Sequence, residues 1–168
     1  MKTLFLFLTL LLSATTSRAQ ADAPAVVSAA DTATVTHVLF EGIEVKGDIY
    51  EFSNVLQKHG FKLEKRLGND LSYIFKGTVC GHSSYVQVSY TKRTRTVWRV
   101  IVEPKHVSLN DYVDSLQVRY GEATDETERG YQWMLPTGAV MLFTPSGYDP
   151  KLVIMDGIGA EAYKDENN

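Results

Sequence analysis

The chain has 168 residues, a net charge of −3 and 44% hydrophobic residues, values typical of an ordinary globular protein. The hydrophobic content excludes a chain that is disordered throughout. Its single cysteine excludes a disulfide scaffold and a cysteine-based structural zinc site, since both need several thiols.

The first residues have the pattern of a secretory signal peptide. An apolar run of about nine residues from Leu4 to Leu12 matches a signal-peptide core and is too short to span a bilayer. Ser17 and Ala19 put small residues at the −3 and −1 positions of a cleavage site, and a second acceptable site follows closely. We therefore predict a signal peptide over residues 1–19 and a product exported to the periplasm or cell exterior, without membrane insertion after cleavage.

The charge of the exported chain argues against nucleic acid as a partner. Cleavage removes Lys2 and Arg18 and leaves 15 basic against 20 acidic residues, a net charge of about −5. Proteins that bind nucleic acid normally carry a basic excess that displaces counterions from phosphates. We expect no nucleic-acid partner.

The chain continues with a leader and a first group of elements. Residues 20–36 are small and weakly polar, which is typical of a flexible leader. A strand is predicted up to Gly47, and Asp48 caps a helix with apolar residues at helical spacing that ends at Gly60. Alternating residues then predict four strands in two hairpins, up to Pro104.

A second helix and a further group of strands follow. Ser108 and Asp111 match a capping box, and the helix ends at Gly121. Three short antiparallel strands fit residues 131–155, with the polar tail at 161–168. We predict one α+β domain over residues 37–160, in which two amphipathic helices pack on one face of an antiparallel sheet.

The two helical segments resemble each other. Phe52, Leu56, Gln57 and Gly60 have nearly the spacing of Tyr112, Leu116, Gln117 and Gly121, and strands follow each helix. We interpret this as a duplicated helix-then-strands unit. The alternative is that any two amphipathic helices ending in glycine look alike.

Several short motifs point to a family. They are Phe40-x-Gly42-Ile43-x-Val45-x-Gly47, Phe52-x-x-x-Leu56-x-x-x-Gly60-Phe61, Phe75-x-Gly77-Thr78-x-x-Gly81 and Tyr120-Gly121-Glu122. With these motifs the chain resembles a group of small uncharacterised secreted proteins of Bacteroidetes that has no assigned activity. The resemblance implies an exported protein of this fold and supplies no catalytic residues.

Cys80 and His82 form the sharpest local cluster for chemistry. A thiol beside an imidazole is the minimal arrangement for nucleophilic catalysis, and residues i and i+2 of a strand point the same way. The competing interpretation is a buried apolar cysteine, because no cysteine-protease signature surrounds it. We also predict no metal site and no cofactor, since the four histidines lie far apart in sequence.

Surface aromatics and a basic turn favour a binding function. Tyr85, Tyr131 and Tyr148 lie on or beside predicted strands, where alternation turns some side chains outward, and Trp98 is predicted to face the core with Val100 and Val102. A second set, Lys92, Arg93 and Arg95, forms a basic hairpin tip that is either a contact surface or solvated edge protection.

The sequence therefore predicts an exported, non-catalytic module that binds a protein or a cell-envelope component. Two alternatives stay open. One is a small thiol-dependent or hydrolytic enzyme that uses Cys80 and His82, and the other is a carbohydrate-binding module that uses exposed aromatics.

Overall fold

A computed structural model describes residues 36–144 and 150–168. The predicted signal peptide, nearly all of the predicted leader and Tyr148 lie outside these described residues.

The described elements run in chain order as ten strands and three helices. The first group is β1 (Leu39–Phe40), β2 (Ile43–Glu44), α1 (Ile49–Lys58), β3 (Lys62–Leu67), β4 (Ser72–Val79), β5 (His82–Tyr90) and β6 (Val97–Pro104). The second group is α2 (Leu109–Tyr120), β7 (Asp125–Thr127), β8 (Gly130–Leu135), β9 (Gly138–Phe143), β10 (Lys151–Asp156) and α3 (Gly157–Asn167).

Eight of the strands form one antiparallel sheet in the order β3-β4-β5-β6-β10-β9-β8-β7, and β1 pairs with β2 in a separate hairpin. The first unit, α1 with β3–β6, and the second unit, α2 with β7–β10, each consist of a helix followed by a four-stranded meander. The last strands of the two meanders, β6 and β10, pair at the centre of the sheet. The α+β class with an antiparallel sheet is thus confirmed, and both predicted units share one sheet.

The hydrophobic core lies between this sheet and the first two helices. Ile49, Phe52 and Leu56 of α1 are buried together with Tyr112 and Leu116 of α2. They pack on the alternate sheet residues that face them, which are Phe75, Val86, Val88, Val100, Val102, Trp133, Val140, Leu142, Leu152 and Ile154. Each fully buried Leu or Ile side chain contributes about 1.5–3 kcal/mol to this packing.

The ends of the two predicted helices follow from their local sequence. The Asp48 carboxylate accepts a hydrogen bond from the Tyr50 amide at 2.7 Å and caps α1, and Gly60 beyond its end has a φ of +89°. Ser108 precedes α2, but its side chain makes no capping hydrogen bond, so the predicted capping box does not form.

The helix α3 was not predicted. Residues 161–168, expected as a polar tail, belong to α3 except for the last residue, and α3 runs beyond the predicted domain boundary at 160. The buried Asp156 carboxylate caps α3 by accepting from the Gly159 amide at 2.8 Å, and it also accepts from the Val38 amide at 3.1 Å. Long-range contacts with β6 hold this helix, and a local pattern does not reveal them.

Trp98 does not face the core as predicted. The pairing of β5 with β6 shifts register between Ser89 and Tyr90, and Val97 takes the buried position. Trp98 instead stacks on Tyr163 of α3, with ring centroids 4.2 Å apart. A single inserted residue therefore breaks the alternation on which the prediction depended.

Candidate functional site

Cys80 and His82 lie on either side of a tight turn. Cys80 and Gly81 form the two-residue connection between β4 and β5, and His82 is the first residue of β5. Cys80 therefore lies in a turn. The prediction that Cys80 and His82 point the same way assumed that both residues lie on one strand, so it does not apply. Among the described residues, the Cys80 sulfur contacts Glu41 Oε1 at 3.9 Å, whereas the His82 ring lies edge-on to Tyr112 with centroids 6.1 Å apart.

Glu41 connects Cys80 to α2. Its carboxylate accepts from the Cys80 amide at 3.1 Å and forms a bidentate ion pair with Arg119. Burial raises the pKa of the Cys80 thiol, and the Glu41 carboxylate raises it further while Arg119 opposes the shift. The thiolate that a nucleophile needs is therefore disfavoured at this position.

Both ends of this contact lie in left-handed turns. Glu41 and Gly42 have φ values of +50° and +79°, and Cys80 and Gly81 have +48° and +81°. Positive values at both positions are the pattern of a type I′ hairpin turn, which usually has Asn or Asp before the glycine. Glu41 and Cys80 adopt this less favourable backbone and are held there by their mutual hydrogen bond.

Tyr85 lies on the face of the sheet opposite α1 and α2, which we call the open face. The helix α3 covers this face at the end that carries Trp98 and Arg99. Its side chain is 39% exposed. The neighbouring Val86 points the other way and is fully buried in the core.

An apolar row crosses the open face. Register places Ile74, Gln87, Ile101, Val153 and Met141 side by side on five adjacent strands, and each is partly exposed. Four of the five are apolar. At a strand spacing of about 4.8 Å the row is roughly 19 Å long.

Tyr85 borders a small pocket in this row. The pocket has a volume of about 260 Å³ and is lined by Ile74, Tyr85, Gln87, Ile101 and Glu103. Among the described residues that line it, Glu103 is the one that carries a charge, and it forms an ion pair with Lys151 at 2.7 Å.

The predicted tyrosines do not form one surface. Tyr131 pairs with the buried Leu142, and its ring centroid is 6.3 Å from that of the buried Trp133. Tyr131 therefore lies on the helix-covered face, opposite Tyr85. Tyr148 lies outside the described residues.

Two basic residues of the β5–β6 turn contact other elements. Arg95 pairs with Asp48 at 2.9 Å and lies over the ring of Tyr50. The Arg93 amide donates to Glu166 of α3 at 2.9 Å. The side chains of Lys92 and Arg93 line a polar cavity of about 710 Å³ beside α3.

Neither tryptophan offers a free ring face to a sugar. Trp133 is fully buried and donates from its indole nitrogen to the Gly121 carbonyl at 2.8 Å. Trp98 is contacted by the Tyr163 ring and by the guanidinium of Arg99, which lies 4.4 Å from the ring centroid.

The sequence interpretation missed the open-face row and the Glu41 contact. Ile74, Ile101, Met141 and Val153 were read only as strand residues, although their position next to buried neighbours in each strand signals an outward-facing apolar side chain. The contact between Glu41 and Cys80 joins residues 39 positions apart, and nothing in the local sequence signals it.

Within residues 36–144 and 150–168, no cluster of three or more His, Cys, Asp or Glu side chains is arranged to hold a metal ion. No helix in the described part of the chain is long and apolar enough to cross a membrane. Comparisons with protein-family models, curated proteins and solved structures find no match to this chain.

Proposed function

We propose that the protein is an exported, non-catalytic binding module that docks a protein of the cell envelope on the open face of its sheet. The observation that carries this proposal is the apolar row of Ile74, Ile101, Val153 and Met141. Strands of an antiparallel sheet with one solvated face normally alternate between apolar residues inside and polar residues outside. These strands keep apolar residues on both faces.

The dimensions of the row fit a protein partner. A length of roughly 19 Å provides the central part of a standard interface, which buries about 800 Å² on each protein. Tyr85 and Phe143, 39% and 44% exposed, extend the apolar surface at its side. The Glu103–Lys151 ion pair lies between them in the sheet register, and polar groups around an apolar centre are typical of protein interfaces.

The pocket beside Tyr85 indicates the chemistry of the contact. Its volume of about 260 Å³ suits one large side chain. Because the charge of Glu103 in its wall is already paired with Lys151, the pocket favours an apolar or aromatic side chain of the partner as the anchor.

The other candidate functions have less support. A thiol enzyme needs an accessible thiolate, and the pKa of Cys80 is raised by burial and by Glu41. A carbohydrate site needs an open aromatic ring face. Both tryptophans are engaged with other groups, and the ammonium of Lys105 lies over the Tyr85 ring, 4.2 Å from its centroid.

The test is site-specific crosslinking in an envelope extract of the native host. A photoreactive phenylalanine analogue at position 85 is compared with the same analogue at position 118, because Val118 of α2 is 91% exposed and lies away from the open face. We expect one protein, identified by mass spectrometry, that crosslinks from position 85 and not from position 118.

Two variants then test the surface itself. Phe143→Asp introduces a charge on the open face and is expected to abolish that crosslink, whereas Val118→Asp is the matched control and is expected to preserve it. If Phe143→Asp leaves the crosslink unchanged, or if no protein crosslinks from position 85 in an extract that retains known complexes, the proposed function is wrong.

A further inference from the structure

A second cavity lies on the helix-covered face of the sheet, at the end of α2. It has a volume of about 780 Å³, which is in the range of small-molecule sites. Its apolar walls come from separate elements, with Leu39 from β1, Tyr120 from α2, and Leu135 and Pro136 from the end of β8 and the turn after it. We call this cavity the α2 groove.

The groove is preformed by contacts between its walls. The Tyr120 hydroxyl donates to the Leu39 carbonyl at 3.0 Å and joins α2 to β1. The bidentate pair of Arg119 with Glu41 also connects α2 to the turn between β1 and β2. A site whose walls are already tied together loses little conformational freedom when a ligand binds.

The charges of the groove neutralise each other. Glu41 and Arg119 line it as a bidentate pair. His37, which is the other described lining residue able to carry a charge near neutral pH, has its Nδ1 at 3.1 Å from the Asp156 carboxylate. An ionic ligand would have to break one of these pairs to find a partner. Burial also raises the pKa of the Tyr120 hydroxyl, as expected in surroundings of low polarity.

We infer that the α2 groove binds an uncharged small molecule with a mostly apolar body. The apolar walls take the body of the molecule, and the outer edge of the Glu41–Arg119 pair provides a donor and an acceptor for a single neutral polar group. The proposal does not depend on the open face, because none of the groove's lining residues lies there.

The test uses two fluorescent probes with the same ring system. N-phenyl-1-naphthylamine is uncharged, and 1-anilinonaphthalene-8-sulfonate carries a negative charge. We expect the purified protein to bind the uncharged probe about tenfold more tightly than the anionic one. Equal affinity for the two probes would contradict the inference.

Matched variants assign the binding to the groove. Leu39→Gln changes a groove residue that is 36% exposed, and Leu109→Gln changes a leucine of 37% exposure that does not line it. We expect Leu39→Gln to weaken binding of the uncharged probe about tenfold and Leu109→Gln to change it less than about twofold. Phe143→Asp on the open face should also leave binding of the uncharged probe unchanged. If this variant loses the binding and Leu39→Gln does not, the assignment to the groove is wrong.

Glu41→Gln tests the charge argument directly. The change removes the counter-charge of Arg119, so the preference for the uncharged probe over the anionic one should fall about tenfold. Circular dichroism establishes that each variant is folded. An unchanged preference between the probes in folded Glu41→Gln protein would show that the ion pair does not set the selectivity, and the inference would fail.

Discussion

At the scale of single residues, the environment of Cys80 predicts an unreactive thiol. Its pKa is raised by burial and by Glu41, so the rate of alkylation by iodoacetamide should reach its midpoint at a pH above that of a free thiol, which is about 8.5. Glu41→Gln should move this midpoint to lower pH, because the carboxylate that opposes the thiolate is lost and Arg119 remains. If the midpoint for Cys80 in the native protein lies below that of a free thiol, thiol catalysis becomes a candidate function again.

Removal of the Tyr112 hydroxyl is expected to stabilise the folded protein. Its hydroxyl is fully buried and has no hydrogen-bond partner in the described structure, so Tyr112→Phe should raise the free energy of unfolding by about 1 kcal/mol at pH 7. Tyr50→Phe, at a side chain that is 47% exposed, is the control and should have little effect. Urea unfolding measures both, and a destabilised Tyr112→Phe protein would mean that the hydroxyl has a favourable partner.

Ionisation of the Tyr112 hydroxyl should make the stability of the protein depend on pH in alkaline solution. Burial raises the pKa of Tyr112 in the folded state, whereas an unfolded tyrosine ionises near pH 10. The stability that depends on the neutral hydroxyl is therefore fully present below about pH 10 and is lost as pH rises further, by about 1.4 kcal/mol per pH unit. Between pH 10 and pH 11, urea unfolding should show that Tyr112→Phe loses about 1 kcal/mol less stability than the native chain, because the unfolded hydroxyl is already half ionised at pH 10. Parallel losses would contradict the assignment.

At the scale of elements, α3 contacts β6 so closely at Gly159 that an added methyl group there should destabilise the fold. A Cβ added at Gly159 would lie 2.4 Å from the Val97 carbonyl oxygen and 2.8 Å from Trp98 Cα. Both are backbone atoms and cannot rotate away, so Gly159→Ala should destabilise the fold by about 1–3 kcal/mol despite the better helix propensity of alanine. Gly68→Ala, which meets nothing within 4 Å, is the control in thermal unfolding; equal stability of the two variants would place α3 farther from β6.

The elements also show how far a local pattern reaches. The helix α1 was predicted because its apolar spacing, the Asp48 cap and Gly60 all lie within one short segment. The helix α3 was missed because its support comes from elsewhere, including the stacking of Tyr163 on Trp98 and hydrogen bonds from the β5–β6 turn to Glu166. The short strand β7, in the acidic segment after α2, lies before the three strands that the sequence predicts over residues 131–155.

At the scale of the whole molecule, the candidate site could be predicted only in part. Tyr85, which the sequence predicts as a surface residue, is 39% exposed. Tyr85 shares the open face with Ile101 and Val153, whereas Tyr131 lies on the other face. Both facts depend on the register of strands that are far apart in sequence. Alternation within one strand fixes which residues share a face but not which face is covered by helices.

The central pairing of β6 with β10 predicts that the two units unfold together. Val100 and Ile154 are paired across this junction and fully buried, so the core continues from one unit to the other without a polar boundary. Each unit contains one tryptophan, Trp98 on β6 and Trp133 on β8. We therefore expect the variants Trp98→Phe and Trp133→Phe, which each retain one reporter, to give single urea transitions with cooperativity equal to that of the native chain.

Ile154→Ala at the junction distinguishes a shared core from two adjacent ones. The loss of a fully buried side chain should cost about 2–5 kcal/mol. If the core is continuous, the transitions reported by Trp98 and by Trp133 in this background move to lower urea by the same amount, because neither unit can stay folded without the other. A transition that moves for only one of the two tryptophans would mean that each helix and its meander folds independently, and that the duplicated unit is also a unit of stability.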